Sequence, residues 1–270
     1  MGDNKDHYLE NSFALDQSSN YTLLLQFELK CFSYAVVYNN RLMAFGENCA
    51  YYELNDPGQL RDTLTAEYKS VVIGLPAIGL TLVPESLFSD AHIAGFARFL
   101  DMQQNELVLA QVFDRENRII FKTDEAILSA ARNFGLQNTV YTAKGWVTAV
   151  AKGNPPISNL YIDISNGTAQ FLYFLEGRLR FYNIFEVVDE DDLVYFSILV
   201  ARELNLEPAE TKLILSGKLS KEDNKFTGLT EFFGKVEMND ISLIELPWHI
   251  PSHKILAHAA LLLCGLSEEV

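Results

Sequence analysis

Basic residues are scarce in this chain. It carries 21 lysines and arginines against 36 aspartates and glutamates, a formal net charge of −15 over 270 residues. Neutralising nucleic-acid phosphates takes clustered Lys and Arg, so no nucleic-acid partner is expected. Cysteine is scarcer still. Cys31, Cys49 and Cys264 form no C-x-x-C pair, which points to buried, reduced thiols and a cytoplasmic setting. No window approaches eighteen uninterrupted apolar residues, so no membrane span is expected. The opening "MGDNKDHYLENSFALDQSSN" is polar and acidic and does not read as a signal peptide. Phosphate-loop signatures are missing too. Gly74-Leu75-Pro76-Ala77-Ile78-Gly79 follows a strand-like run but lacks both the Walker lysine and G-x-G-x-x-G, and reads as a loop. His249, His253 and His258 have no nearby acid or cysteine to complete a metal set, and read as surface or capping histidines.

What is present is ordinary globular material. Hydrophobic residues make up 49% and charged residues 21%, and a chain of this length buries roughly three quarters of its unfolded surface. Many of the 18 Phe and 12 Tyr fall at alternating strand positions, as with Phe171, Tyr173, Phe181 and Phe185, and read as core.

The chain also resembles itself. Residues 23–46, "LLLQFELKCFSYAVVYNNRLMAFG", align without a gap on residues 160–183, "LYIDISNGTAQFLYFLEGRLRFYN". The offset is 160 − 23 = 137. Each copy reads as a strand, a polar bend, a second strand, a two-residue turn and a third strand. The turns are Asn39-Asn40 and Glu176-Gly177; Asn and Gly tolerate the positive φ that tight hairpins demand. A helix follows in both copies, at 56–70 and 189–208. Asp56 is the expected N-cap of the first, with Pro57 at N1. Asp189, Glu190, Asp191 and Asp192 open the second, where acids suit the helix dipole. Its apolar residues Leu193, Phe196, Val200 and Leu204 recur at helical spacing. Each helix leads into an apolar strand, "SVVIGLP" and "TKLILSG". A helical crossover of this kind joins parallel strands.

Further helices are expected at 84–101, 124–135, 227–234 and 251–266, the last with Pro251 at N1. Further strands are expected at 106–114, 117–123, 137–143 and near "KVEM", while "GWVTAVAK" fits either type. Gly153-Asn154-Pro155-Pro156 is the best break in the chain. The expected organisation is a polar tail at 1–19, a first lobe at 20–153 and a second at 154–270.

A duplicated β-β-β-α-β unit of this kind resembles the actin-like ATPase fold of actin, sugar kinases, FtsA and PilM. Three stretches, "TLVPESLF" (81–88), "NIFEVVDEDDLVYF" (183–196) and "LLLQFELKCFSYAVVYNNRLM" (23–43), are also similar to an uncharacterised bacterial family, a domain of unknown function assigned this fold. The resemblance spans about residues 20–266 and implies two ribonuclease-H-like α/β lobes. It also implies a last helix that packs back on the first lobe, and an ATP–Mg²⁺ cleft as the ancestral ligand site.

"DISNGT" (163–168) resembles the second phosphate motif of that superfamily through Asp163, Gly167 and Thr168, with Ser165 where a glycine is usual. The other reading is a plain hairpin bend turning at Asn166-Gly167. The first phosphate motif is eroded: Gln26 aligns with Asp163, and no glycine lies between Leu23 and Phe45. Of the glycine-rich adenosine motif only Ser216-Gly217 remains. Asp163, Gly167, Thr168, Ser216 and Gly217 are therefore the candidate cofactor-binding residues. No catalytic or metal-ligating residue is assigned. The expectation is a non-catalytic module that works through protein partners and holds no cofactor, with an ATP–Mg²⁺-binding ATPase or kinase as the alternative.

Overall fold

The structure, a computed structural model, describes residues 7–54 and 58–265. The expected cap at Asp56 and Pro57 lies outside the described residues. The chain divides into two compact units. One runs to Trp146 and takes in Leu243–Pro247 and the chain from His258; the other holds Val147–Ser242 and Trp248–Ala257.

In the first unit β1 (His7–Leu9), β2 (Thr22–Phe27), β3 (Cys31–Tyr38) and β4 (Arg41–Ala50) precede helix α1 (Arg61–Thr65) and β5 (Ser70–Leu75). Then come β6 (Gly79–Pro84), α2 (Ile93–Ala97), β7 (Glu106–Val112), β8 (Asn117–Asp124), α3 (Glu125–Arg132) and β9 (Thr139–Tyr141). The main sheet has the order β1-β4-β3-β2-β5-β9, with β5 parallel to both β2 and β9. An inserted antiparallel sheet, β6-β8-β7, separates β5 from β9 in sequence. Helix α4 (Ala143–Lys152) leads out of β9, which settles the ambiguous "GWVTAVAK" as helix.

The second unit contains β10 (Asn159–Ser165), β11 (Thr168–Leu175), β12 (Arg178–Glu186), α5 (Glu190–Glu203), β13 (Lys212–Gly217), α6 (Asn224–Thr230) and β14 (Lys235–Met238). Its sheet order is β12-β11-β10-β13-β14, with β10, β13 and β14 parallel. Helix α7 (Ser252–Ala260) and the short α8 (Leu262–Gly265) end the described chain. Pro251 therefore sits one residue ahead of α7 rather than inside it.

The 137-residue offset survives at the level of strand register. Gln26↔Ser33 and Phe27↔Phe32 become Asp163↔Gln170 and Ile164↔Ala169. Tyr38↔Arg41 becomes Leu175↔Arg178. Each second hairpin has a register shift at the same place, Val36/Val37 and Tyr173/Phe174. Both turns are left-handed at both residues, with φ of 47° and 60° at Asn39-Asn40 and 53° and 75° at Glu176-Gly177. A shared bulge needs both strands of a pair to agree, so this correspondence says more than matching element order.

Several expectations need correction. Residues 84–101 do not form one helix: Pro84 ends β6, short 3₁₀ turns follow, and α2 has only five residues. Leu100 clusters with Val83 and Ile120, and Phe88 and Phe96 pack against that cluster, so local packing overrides helical spacing. The tail contains an edge strand, β1, paired with β4. α1 is far shorter than α5. Gly74 and Leu75 close β5, and Gly79 opens β6, leaving only Pro76–Ile78 as connecting loop. Cys31 and Cys264 are only partly buried, unlike Cys49. His258 is buried edge-on against Phe45, with ring centres 5.4 Å apart, and is not a surface histidine.

The acidic run at 189–192 is a helix start. The Asp189 side chain accepts a hydrogen bond from the Asp192 N–H at 3.0 Å. Asp189→Ala should lower the stability of the protein by about 1 kcal/mol, the usual worth of such a cap. A melting temperature unchanged by that substitution would show that tertiary packing alone holds the first turn.

Candidate functional site

The five residues singled out from sequence meet at one end of the second unit's sheet. Parallel pairing sets Asp163 beside Ser216 and Ile164 beside Gly217. Antiparallel pairing sets Ser165 beside Thr168 across the β10–β11 turn. Register extends the row on both sides. Asp163 faces Gln170 on β11. One step beyond Leu215↔Met238, Asn239 arrives at the level of Ser216, its N–H donating to the Leu215 carbonyl at 2.8 Å. Register neighbours share a sheet face. Gln170, Asp163, Ser216 and Asn239 therefore form a polar row across four strands, opposite the apolar face of Ile162, Ile164 and Leu215.

This row is buried. Asp163 is 3% exposed, Ser216 0% and Asn239 3%. Such groups need partners. The Gln170 Oε1 has one, the Tyr182 hydroxyl donating at 2.6 Å. The Asn239 Oδ1 accepts from the Ile241 N–H at 3.1 Å. The Ser216 Oγ and the Asn239 Nδ2 have no hydrogen-bond partner among the described residues. Polar groups converging at the C-terminal ends of parallel strands are where open α/β sheets hold ligands.

The neighbouring turn is built differently. Asn166 and Gly167 both have positive φ, 43° and 82°, the signature of a type I′ hairpin. The Gly167 carbonyl accepts from the Val187 N–H at 2.8 Å, and the Thr168 hydroxyl donates to the Ser165 carbonyl at 2.8 Å. Lys218 reaches across to the Asn166 Oδ1 at 3.1 Å. The hairpin reading of "DISNGT" thus accounts for Asn166, Gly167 and Thr168. Gly217 has φ of 93°, and a Cβ there would lie 2.0 Å from the Ile164 carbonyl oxygen. Its missing side chain serves the close approach of β13 to β10.

The equivalent row in the first unit reads Ser33–Gln26–Gly74–Val140. Gln26 is 6% exposed and its Oε1 has no partner among the described residues. Its hairpin closes with both backbone and side-chain hydrogen bonds. The Glu28 N–H donates to the Cys31 carbonyl at 2.9 Å, Cys31 Sγ donates to the Glu28 carboxylate at 3.4 Å, and the Tyr51 hydroxyl donates to the Glu28 carbonyl. Gly74 makes room for Thr142, whose Oγ1 would lie 2.9 Å from a Cβ.

Sequence reading did not find Asn239 or Gln170. Gln170 was within reach, since the offset maps it onto Ser33; Asn239 depends on the register of two parallel strands, which no local pattern announces. No cluster of three or more His, Cys, Asp or Glu able to hold a metal occurs among the described residues. Among them, too, no helix is long and apolar enough to cross a membrane.

Comparison with known proteins agrees with the fold. A family described as "Protein of unknown function (DUF3822)" matches residues 10–236. A Bacteroides thetaiotaomicron protein described as having an actin-like ATPase fold and unknown function is similar with a TM-score of 0.78 and 18% identity, over 94% of this chain and 100% of that one. The PilM–PilN type IV pilus biogenesis complex is similar with a TM-score of 0.55 and 12% identity, over 91% of this chain and 97% of that one. No curated protein matches at a significant level.

Proposed function

Since the chain belongs to the DUF3822 family of proteins of unknown function and has the actin-like ATPase fold, we propose that it is a non-catalytic member that acts through protein contacts in the cytoplasm. Gln26 carries this reading. It occupies the register position that Asp163 holds in the sister sheet, between Ser33 and Gly74. An amide there supplies no charge to a metal-bound water, and the Glu28–Cys31 hairpin beside it offers side chains in place of a bare backbone cradle. In the second unit Ser165 stands in a glycine's place, and Gly217 is spent on strand packing against Ile164. These residues do not fit a triphosphate. The net charge of −15 supports the absence of a nucleic-acid partner. PilM, which shares the fold, is seen in complex with PilN.

Isothermal titration with Mg-ATP is expected to give no binding heat at millimolar nucleotide. A micromolar dissociation constant abolished by Asp163→Ala would overturn the proposal and favour an ATP–Mg²⁺-binding ATPase or kinase. The observation on that side is the polar row itself, where the Ser216 hydroxyl and the Asn239 amide nitrogen stand buried next to a carboxylate.

A further inference from the structure

The first unit holds two sheets, and the side chain of Gln111 reaches from one to the other. β9 is the last strand of the main sheet among the described residues. On its inner side it bonds to β5. The Ile73 N–H donates to the Asn138 carbonyl at 2.9 Å, and the Thr142 N–H donates to the Leu75 carbonyl at 3.0 Å. Main-chain groups of successive residues point to opposite sides of a strand, so Thr139 and Tyr141 turn theirs outward. Gln111 of β7 takes one group from each. Its Nε2 donates to the Thr139 carbonyl at 3.1 Å, and its Oε1 accepts from the Tyr141 N–H at 2.8 Å. In a parallel ladder a residue donates to the carbonyl before its partner and accepts from the N–H after it. The Gln111 amide does the same across Val140. It fills the slot of one residue of a seventh, parallel strand.

The rest of this contact is apolar. Gln111 lies opposite Ile119 and Leu109 opposite Phe121, on one face of the inserted sheet. The Phe121 and Phe113 rings stand 5.0 Å and 5.9 Å from the Tyr141 ring. The other face of the inserted sheet has a core of its own, in which Val83, Leu100 and Ile120 cluster with Phe88, Phe96, Val108 and Ala110 packed against them. The chain enters this sheet through Pro76–Ile78 and leaves it at Asp124, whose side chain caps α3 by accepting from the Ala126 N–H at 2.7 Å. A body with its own core and a small polar attachment to its neighbour can open locally while staying folded.

We infer that the inserted sheet is a hinged body and that Gln111 is the clasp that holds it on β9. In the closed state the amide satisfies the outward groups of Thr139 and Tyr141. In the open state the Tyr141 ring parts from Phe113 and Phe121, and those two main-chain groups meet water as the bare edge of the main sheet. A glutamine suits this position because a neutral amide supplies a donor and an acceptor together. An apolar chain of the same length supplies neither, and a carboxylate supplies the acceptor alone. The clasp does not depend on the fate of the nucleotide site.

Hydrogen exchange on the full-length chain, read at single amides, is the test. Gln111→Met should speed exchange of the Tyr141 amide about tenfold, the usual net worth of two hydrogen bonds, while the paired amides of β7 and β8 keep their wild-type rates. Gln111→Glu at neutral pH should do the same, because its carboxylate faces the Thr139 carbonyl with no proton to donate. A Tyr141 rate unchanged in the Met variant overturns the inference, since the aromatic packing then holds the sheet alone. So does a Glu variant with wild-type protection, in which the donor half of the amide is idle. Loss of β7 and β8 protection by the same factor as Tyr141 overturns it as well, because the inserted sheet then unfolds instead of opening.

Discussion

Replacing Gly217 with alanine is expected to cost about 3–5 kcal/mol, the range of severe single substitutions. Two penalties add. The residue has φ of 93°, a region where an L side chain costs roughly 1–3 kcal/mol. The new Cβ would also lie 2.0 Å from the Ile164 carbonyl oxygen and 2.8 Å from its carbonyl carbon. Those are backbone atoms of the adjacent strand, and they are tied in place because the Ile164 carbonyl accepts from the Lys218 N–H at 2.7 Å. No side-chain rotation relieves the clash; β13 must move away from β10, and the Asp163–Ser216 pairing goes with it. Gly167 makes the control. It shares the positive φ, at 82°, but the nearest atom to a Cβ there is the Val187 oxygen at 3.9 Å. Gly167→Asn should therefore cost under about 1 kcal/mol, since Asn tolerates the left-handed region. Thermal melts of the two variants check this, with roughly 2–4 °C expected per kcal/mol. Equal losses in the two would show that turn strain, and not strand crowding, dominates at Gly217.

The contrast between these glycines also marks what could be read from the sequence. Hairpins are local. Asn166-Gly167, Asn39-Asn40 and Glu176-Gly177 announce themselves by residue type, and alternating apolar runs flank them, so β2 to β4 and β10 to β12 were legible along with their offset. α5 was legible because Asp189 caps it and its apolar residues recur at helical spacing. What failed depended on distant partners. β1 is three residues in a polar segment and exists because the β4 edge accepts it. α1 and the 84–101 segment have helix-like spacing, yet tertiary packing allows each only a short helix. The polar row was half legible. Asp163 and Ser216 could be proposed from resemblance, but that they are register neighbours, and that Asn239 joins them, follows from parallel pairing across elements 53 and 23 residues apart in sequence (216 − 163 and 239 − 216). Gly217 looked like a nucleotide glycine because its packing role against Ile164 is invisible without that pairing.

Phe171→Ala is expected to destabilise the second unit by about 3–5 kcal/mol, the usual cost of removing a buried aromatic ring. Phe171 is fully buried on β11, in the cluster that gathers Leu160, Ile162 and Leu215 from the parallel strands with Leu193 and Val200 from α5 and Leu229 from α6. Its ring stands edge-on to Phe185 at 5.5 Å and 83°, and Phe185 in turn stacks on Phe196 of α5 at 4.5 Å. The ring is thus the link between the hairpin and the helical cover, and such aromatic pairs add roughly 0.5–1.5 kcal/mol beyond area burial. The void left by alanine cannot close easily, because strand pairing holds Ile162 opposite position 171 and Leu172 opposite Tyr182. Phe181 supplies the comparison: same residue type, same sheet, but half-exposed on the edge strand β12. Phe181→Ala loses less buried area and leaves a site open to solvent, so about 1–2 kcal/mol is expected, in proportion to the apolar surface already wet. Denaturation of both variants in parallel tests the account. If the two losses are equal, the β11 ring is not the packing centre that its burial makes it, and the edge ring is covered in solution as fully as the core one.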